Sequence, residues 1–148
     1  MDRKNFIKSC GFACIGGGIM AGLLQSCTST KTLSGTISGD NIIVETSDFE
    51  TRAGDEKHYK KYIVVHNEIL KYPICVYRHT ENEYSALWMR CTHQGAELQV
   101  FGDKLQCPAH GSEFTNKGGV QNGPADMKLR NFPITIENNQ LKISLKAV

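Results

Sequence analysis

Beyond residue 40 the apolar residues of this chain come in short runs broken by polar and glycine-rich turns, and no run has the three-and-four spacing of an amphipathic helix. Asn41–Glu45, Tyr62–His66 and Ile74–Arg78 are rich in Ile, Val and Tyr, which fit a pleated, half-buried surface, and each reads as a strand. Ser85–Met89 reads the same way and leads directly into a polar loop beginning at Cys91. Val100-Phe101-Gly102-Asp103-Lys104-Leu105 has the form of a tight hairpin. Ile134–Glu137 and Leu141–Leu145 flank Asn138-Asn139-Gln140 and form a last hairpin. The pattern predicts an all-β domain, a small antiparallel β sandwich or barrel.

The first 40 residues follow other rules. Asp2-Arg3-Lys4-Asn5-Phe6-Ile7-Lys8 is short and basic, and Ser9 to Leu24 is uncharged and rich in Gly, Ala, Ile and Leu. A basic start, a short apolar stretch and a small-residue exit read as an export signal over residues 1–26. Arg3-Lys4-Asn5-Phe6-Ile7-Lys8 resembles a twin-arginine signal with Lys in place of the second Arg. Leu24-Gln25-Ser26-Cys27 resembles a bacterial lipobox, which implies that Cys27 is lipidated and becomes the new N-terminus. The alternative is an uncleaved anchor; either reading tethers the domain to a membrane of the bacterial cell envelope after export. Residues 27–40 are small and polar and read as a flexible tether, leaving 41–148 as the folded domain.

The 148 residues fit one such domain. Seventeen Lys and Arg stand against fifteen Asp and Glu, a net charge of +2, and the export signal itself accounts for that excess. With no basic run and scattered aromatics, nucleic acid is not an expected partner.

The chemistry gathers in two clips, Cys91-Thr92-His93 and Cys107-Pro108-Ala109-His110-Gly111-Ser112. Two thiols and two imidazoles make a ligand set for a metal centre. The same four side chains could hold zinc tetrahedrally. In an exported protein Cys91 and Cys107 could also form a disulfide, which would leave both histidines unexplained. The other cysteines have separate uses: Cys10 and Cys14 lie in the signal, Cys27 takes lipid, and Cys75 sits in the apolar run Pro73–Tyr77 as a buried, inert thiol. His58, His66 and His79 have no Cys or acidic partner at ligand spacing and receive no role.

The grammar of the two clips resembles the Rieske [2Fe–2S] proteins, and the resemblance covers roughly residues 41–148. Cys91-Thr92-His93-Gln94-Gly95 is similar to the first cluster loop of that family and Cys107–Ser112 to the second. Gly123-Pro124-Ala125 is similar to the proline-bearing loop that covers the cluster, and Leu129–Ile134 to the segment returning to the sheet. The resemblance implies one [2Fe–2S] cluster per chain, with Cys91 and Cys107 on one iron and His93 and His110 on the other. It implies that the cluster loops form a subdomain at one end of the sandwich, and that the Ser112 hydroxyl hydrogen-bonds a bridging sulfide. The chain departs from the cytochrome bc members of the family at Ala96 and Ala109, where those proteins carry a disulfide, and at Phe114, where quinol-oxidising members often carry a tyrosine donor.

Replacing two thiolates by neutral imidazoles raises the reduction potential. A histidine bound through one nitrogen keeps a proton on the other, so electron and proton transfer become linked. The implied function is a membrane-tethered one-electron carrier serving redox protein partners, in one form the iron–sulfur subunit of a quinol:cytochrome c oxidoreductase. The alternatives are a Rieske-type ferredoxin or small redox subunit of a separate oxidase or oxygenase, and a zinc-stabilised binding module. An oxygenase catalytic subunit is disfavoured, since no pair of histidines with a carboxylate stands ready for mononuclear iron.

Overall fold

The computed structural model describes residues 32–146. Residues 1–26, read as an export signal, and Cys27 lie outside the described residues. The chain runs through β1 (Thr32–Ser34), β2 (Thr36–Ser38), β3 (Asn41–Glu45), a 3-10 turn (Thr46–Phe49), β4 (Glu50–Ala53) and β5 (Glu56–Tyr59). It continues through β6 (Tyr62–His66), β7 (Ile74–Arg78), β8 (Tyr84–Trp88), β9 (Gln99–Phe101) and β10 (Lys104–Gln106). The remaining strands are β11 (Glu113–Thr115), β12 (Val120–Asn122), β13 (Asn131–Phe132), β14 (Ile134–Glu137) and β15 (Gln140–Ser144). The all-β expectation holds, and the strands read from the sequence are present within a residue or two of their expected ends.

A five-stranded sheet, β1-β6-β7-β8-β13, is the central layer. Its pairings are antiparallel except for β1 on β6, which is parallel. Successive side chains of a strand point to opposite faces, and here both faces are covered. Ile63, Val65, Ile74, Val76, Ala86 and Phe132 point one way and pack with Ile42, Val44, Leu141 and Ile143 of the sheet β14-β15-β3-β2. Val64, Cys75, Tyr77 and Leu87 point the other way and pack with Leu105 and Phe114 of the sheet β12-β11-β10-β9. The register Val64↔Cys75↔Leu87 aligns the second set across three strands. A one-residue slip would exchange the two faces, so the central sheet ties the sandwich to the smaller sheet that carries the loops.

Residues 32–38 correct the reading of 27–40 as a tether, because this part is built into the sheets. β2 pairs with β3, and Leu33 and Ile37 each bury partly against the sandwich core. Small polar residues on either side of a single apolar one hide such strands in the composition. Gly35 lies between them, donating its N–H to the His66 carbonyl at 3.0 Å. A Cβ there would stand 2.6 Å from Ile42 Cγ2 and 2.7 Å from Val65 Cγ1.

Candidate metal centre

The two clips fold into two loops of the same form. In the first, the Gly95 N–H donates to the Cys91 carbonyl at 2.9 Å and the Cys91 N–H to the Ala96 carbonyl at 2.8 Å. In the second, the Gly111 N–H donates to the Cys107 carbonyl at 3.0 Å and the Cys107 N–H to the Ser112 carbonyl at 2.8 Å. Both loops turn on a glycine in the left-handed region, φ 77° at Gly95 and 79° at Gly111, where a Cβ would be strained. Strand β8 and the Arg90–Glu97 bridge set the first loop; β10 and β11 set the second.

The four predicted donors separate by depth. Cys91 and Cys107 are buried, at 1% and 2% exposure, and are not joined in a disulfide. His93 and His110 are exposed, with ring centroids 5.1 Å apart and planes at 86°. Among the described residues no three His, Cys, Asp or Glu side chains converge to hold a single ion. A two-iron cluster with two donors on each iron fits a site whose thiols face the core and whose imidazoles face solvent. The buried surroundings of the thiols, Met89, Leu98, Leu105, Phe114, Ala125 and Leu129, are apolar.

The third loop ties the other two. Ser112 is fully buried, and its Oγ accepts the Ala125 N–H at 3.0 Å. Thr92 Oγ1 donates to the Met127 carbonyl at 2.6 Å, and Asn122 Nδ2 to the Gly111 carbonyl at 3.4 Å. Tyr72 donates its hydroxyl to the Gly95 carbonyl at 2.6 Å, linking the first loop to the β6–β7 connection. These contacts join the loops where Ala96 and Ala109 offer no disulfide. The Gly123–Pro124 peptide is cis. Thr92, Tyr72 and Asn122 were not singled out from the sequence. Thr92 alone carried a signal, as the residue enclosed by Cys91 and His93.

Cys75 is fully buried on β7, and burial pushes its thiol far above the usual range. It is a core residue, as its apolar surroundings in the sequence indicate. Of the remaining histidines, His79 has a partner: its Nε2 lies 2.7 Å from Ser85 Oγ, and burial lowers its pKa.

The fold and the paired loops define a class, a small β domain whose two cysteine–histidine loops could hold a metal centre. Residues 45–133 match the model of the Rieske [2Fe-2S] domain, and the chain belongs to that family. It binds a [2Fe–2S] cluster and is a Rieske-type electron carrier. It is similar to the cytochrome b6-f complex iron-sulfur subunit of Chlorobaculum tepidum, 30% identical over 57 residues, covering 37% of this chain and 32% of that one. It is also similar to the iron-sulfur subunit TsaM1 of the toluene-4-sulfonate monooxygenase system of Comamonas testosteroni, 31% identical over 85 residues, covering 51% of this chain and 24% of the other. The matched region thus spans a third or less of these relatives' own length. Among solved structures, the cyanobacterial plasma membrane Rieske protein PetC3 from Synechocystis PCC 6803 superposes with a TM-score of 0.50 at 26% identity, covering 57% of this chain and 86% of that one.

Proposed function

We propose that Cys91 and Cys107 hold one iron of the cluster and His93 and His110 the other, and that the protein works as a membrane-tethered carrier in a quinol-oxidising chain. The observation that carries this reading is the division by depth: two free buried thiols beneath two exposed imidazoles on twin loops. When bound, the cluster supplies a one-electron couple whose histidine side faces outward. The chain's own residues do the rest. The thiols sit in an apolar layer that excludes water, Gly95 and Gly111 shape the loops, and Ser112, Thr92 and Asn122 fix the covering loop. Exposed imidazoles let a donor or acceptor approach the cluster edge without any opening of the fold.

The similarity to a cytochrome b6-f iron-sulfur subunit supports the quinol-linked role. Attachment to the membrane rests on Leu24-Gln25-Ser26-Cys27, with Cys27 lipidated and the domain exported to the cell envelope. A second reading, a ferredoxin serving an oxygenase system, is favoured by one feature of the loops: Ala96, Ala109 and Phe114 replace the disulfide and tyrosine of high-potential quinol-oxidising members. Reduction of the purified protein by menaquinol separates the two, since rapid reduction is expected for the quinol-linked carrier and none for the ferredoxin. His93→Ala and His110→Ala should each abolish the cluster; retention of iron and sulfide in either variant contradicts the ligand assignment. Cys27→Ser should leave the protein unlipidated, and a mature wild-type protein without lipid contradicts the tether.

A further inference from the structure

Beside the first cluster loop lies a cavity of about 420 Å3, lined by Trp88, Thr92 and four cations, Arg90, Lys117, Lys128 and Arg130. No carboxylate lines it. Lys117 is neutralised by Glu83 at 2.8 Å. Arg130 donates to the Leu145 and Lys146 carbonyls and forms no ion pair among the described residues. Arg90 and Lys128 form no ion pair among the described residues, even though the Arg90 backbone bridges that of Glu97.

Two of the charges, Arg90 and Arg130, are held in place. The Trp88 indole donates to the Tyr72 carbonyl at 3.3 Å, and the Arg90 and Arg130 guanidinium carbons lie 5.5 and 6.0 Å from its ring centroid. Arg90 also packs on the first loop, where a Cβ on Gly95 would come within 3.3 Å of its Nε. The concentration of positive charge is local. Over residues 32–146, thirteen Lys and Arg stand against fourteen Asp and Glu, so the body as a whole is slightly acidic. A fixed cationic hollow on a near-neutral body steers anionic groups to one place. Thr92, which lines it, separates Cys91 from His93.

We infer that this hollow is the docking site for a carboxylate-rich surface of the redox protein that exchanges electrons with the cluster. The inference rests on the electron-carrier reading and adds to it the charge and the seat of the partner. Docked there, an acidic surface is held against the first cluster loop, and the one electron passes between the two redox centres with no bond made or broken.

Stopped-flow oxidation of the reduced holoprotein tests this with two small oxidants of opposite charge. Hexacyanoferrate(III) takes one electron from the reduced cluster and becomes hexacyanoferrate(II). Tris(phenanthroline)cobalt(III) does the same as a cation. At low ionic strength, Lys128→Glu and Arg90→Gln should slow the anionic oxidant by roughly three- to tenfold and speed the cationic one. The difference should vanish near 1 M salt, where the screening length is about 3 Å. Poly-L-glutamate, a stand-in for the acidic surface, should slow hexacyanoferrate on the wild type and have little effect on Lys128→Glu. Lys57→Glu, on the β4–β5 hairpin, should match the wild type. Lys128→Glu rates equal to wild type with both oxidants, or an equal loss in Lys57→Glu, would overturn the docking site. Failure of both oxidants to accept electrons from the wild type would instead overturn the electron-carrier reading.

Discussion

Because Ser112 Oγ accepts the Ala125 N–H, its own proton remains free to donate toward the cluster pocket. A hydrogen bond to a cluster sulfur favours the reduced state, so a lost donor lowers the potential. Phe114, fully buried in the same core cluster as Cys91 and Cys107, supplies no such donor. The potential is therefore expected below that of high-potential quinol-oxidising relatives, within the window of roughly −150 to +300 mV for Rieske centres. Ser112→Ala should lower it by about 40 mV, the one-electron equivalent of about 1 kcal/mol, and Phe114→Tyr should raise it. Film voltammetry on the variants checks both signs, and an unchanged potential in Ser112→Ala removes Ser112 from the tuning role. Cys75 offers a second prediction at this scale. With its thiol held far above the usual range by burial, it should resist iodoacetamide in the native holoprotein at pH 8 and react only on unfolding, as peptide mass mapping would show.

Among the elements, Gly35 gives the sharpest test of where folding begins. Were residues 32–38 a free tether, Gly35→Ala would be neutral or slightly stabilising through the unfolded chain. With β1 and β2 in place, the added methyl collides with Ile42 and Val65, and chemical denaturation should show a loss of about 1–3 kcal/mol. Among the strands that were legible in the sequence, β3, β6, β7, β8 and β15 each contribute two or more apolar residues to a core, while β14 was legible from its hairpin with β15. β1 and β2 were not, because Leu33 and Ile37 are single apolar residues among Thr and Ser. β4 and β5 escaped notice because β5 is exposed throughout and the pair lies in a hairpin of its own. The proposed donors were read from their spacing and chemistry. Their hydrogen-bonded frame was not, since Thr92–Met127 and Ser112–Ala125 join residues 35 and 13 positions apart, and no local pattern announces such pairs.

At the scale of the whole molecule, a two-faced central sheet holds a sandwich on one side and the small loop-bearing sheet on the other. The rigid part keeps the buried thiols dry, while the loops present the imidazoles and the cationic hollow to solvent. Among the described residues nothing in this arrangement has to open for an electron to move, which suits a carrier. The central claim, a two-iron cluster shared between two buried cysteines and two exposed histidines, is tested most directly by iron, acid-labile sulfide and coulometric analysis of the full chain purified without oxygen. Two irons, two sulfides and one transferable electron per chain are predicted. Stoichiometric zinc without iron, or iron without labile sulfide, would contradict it.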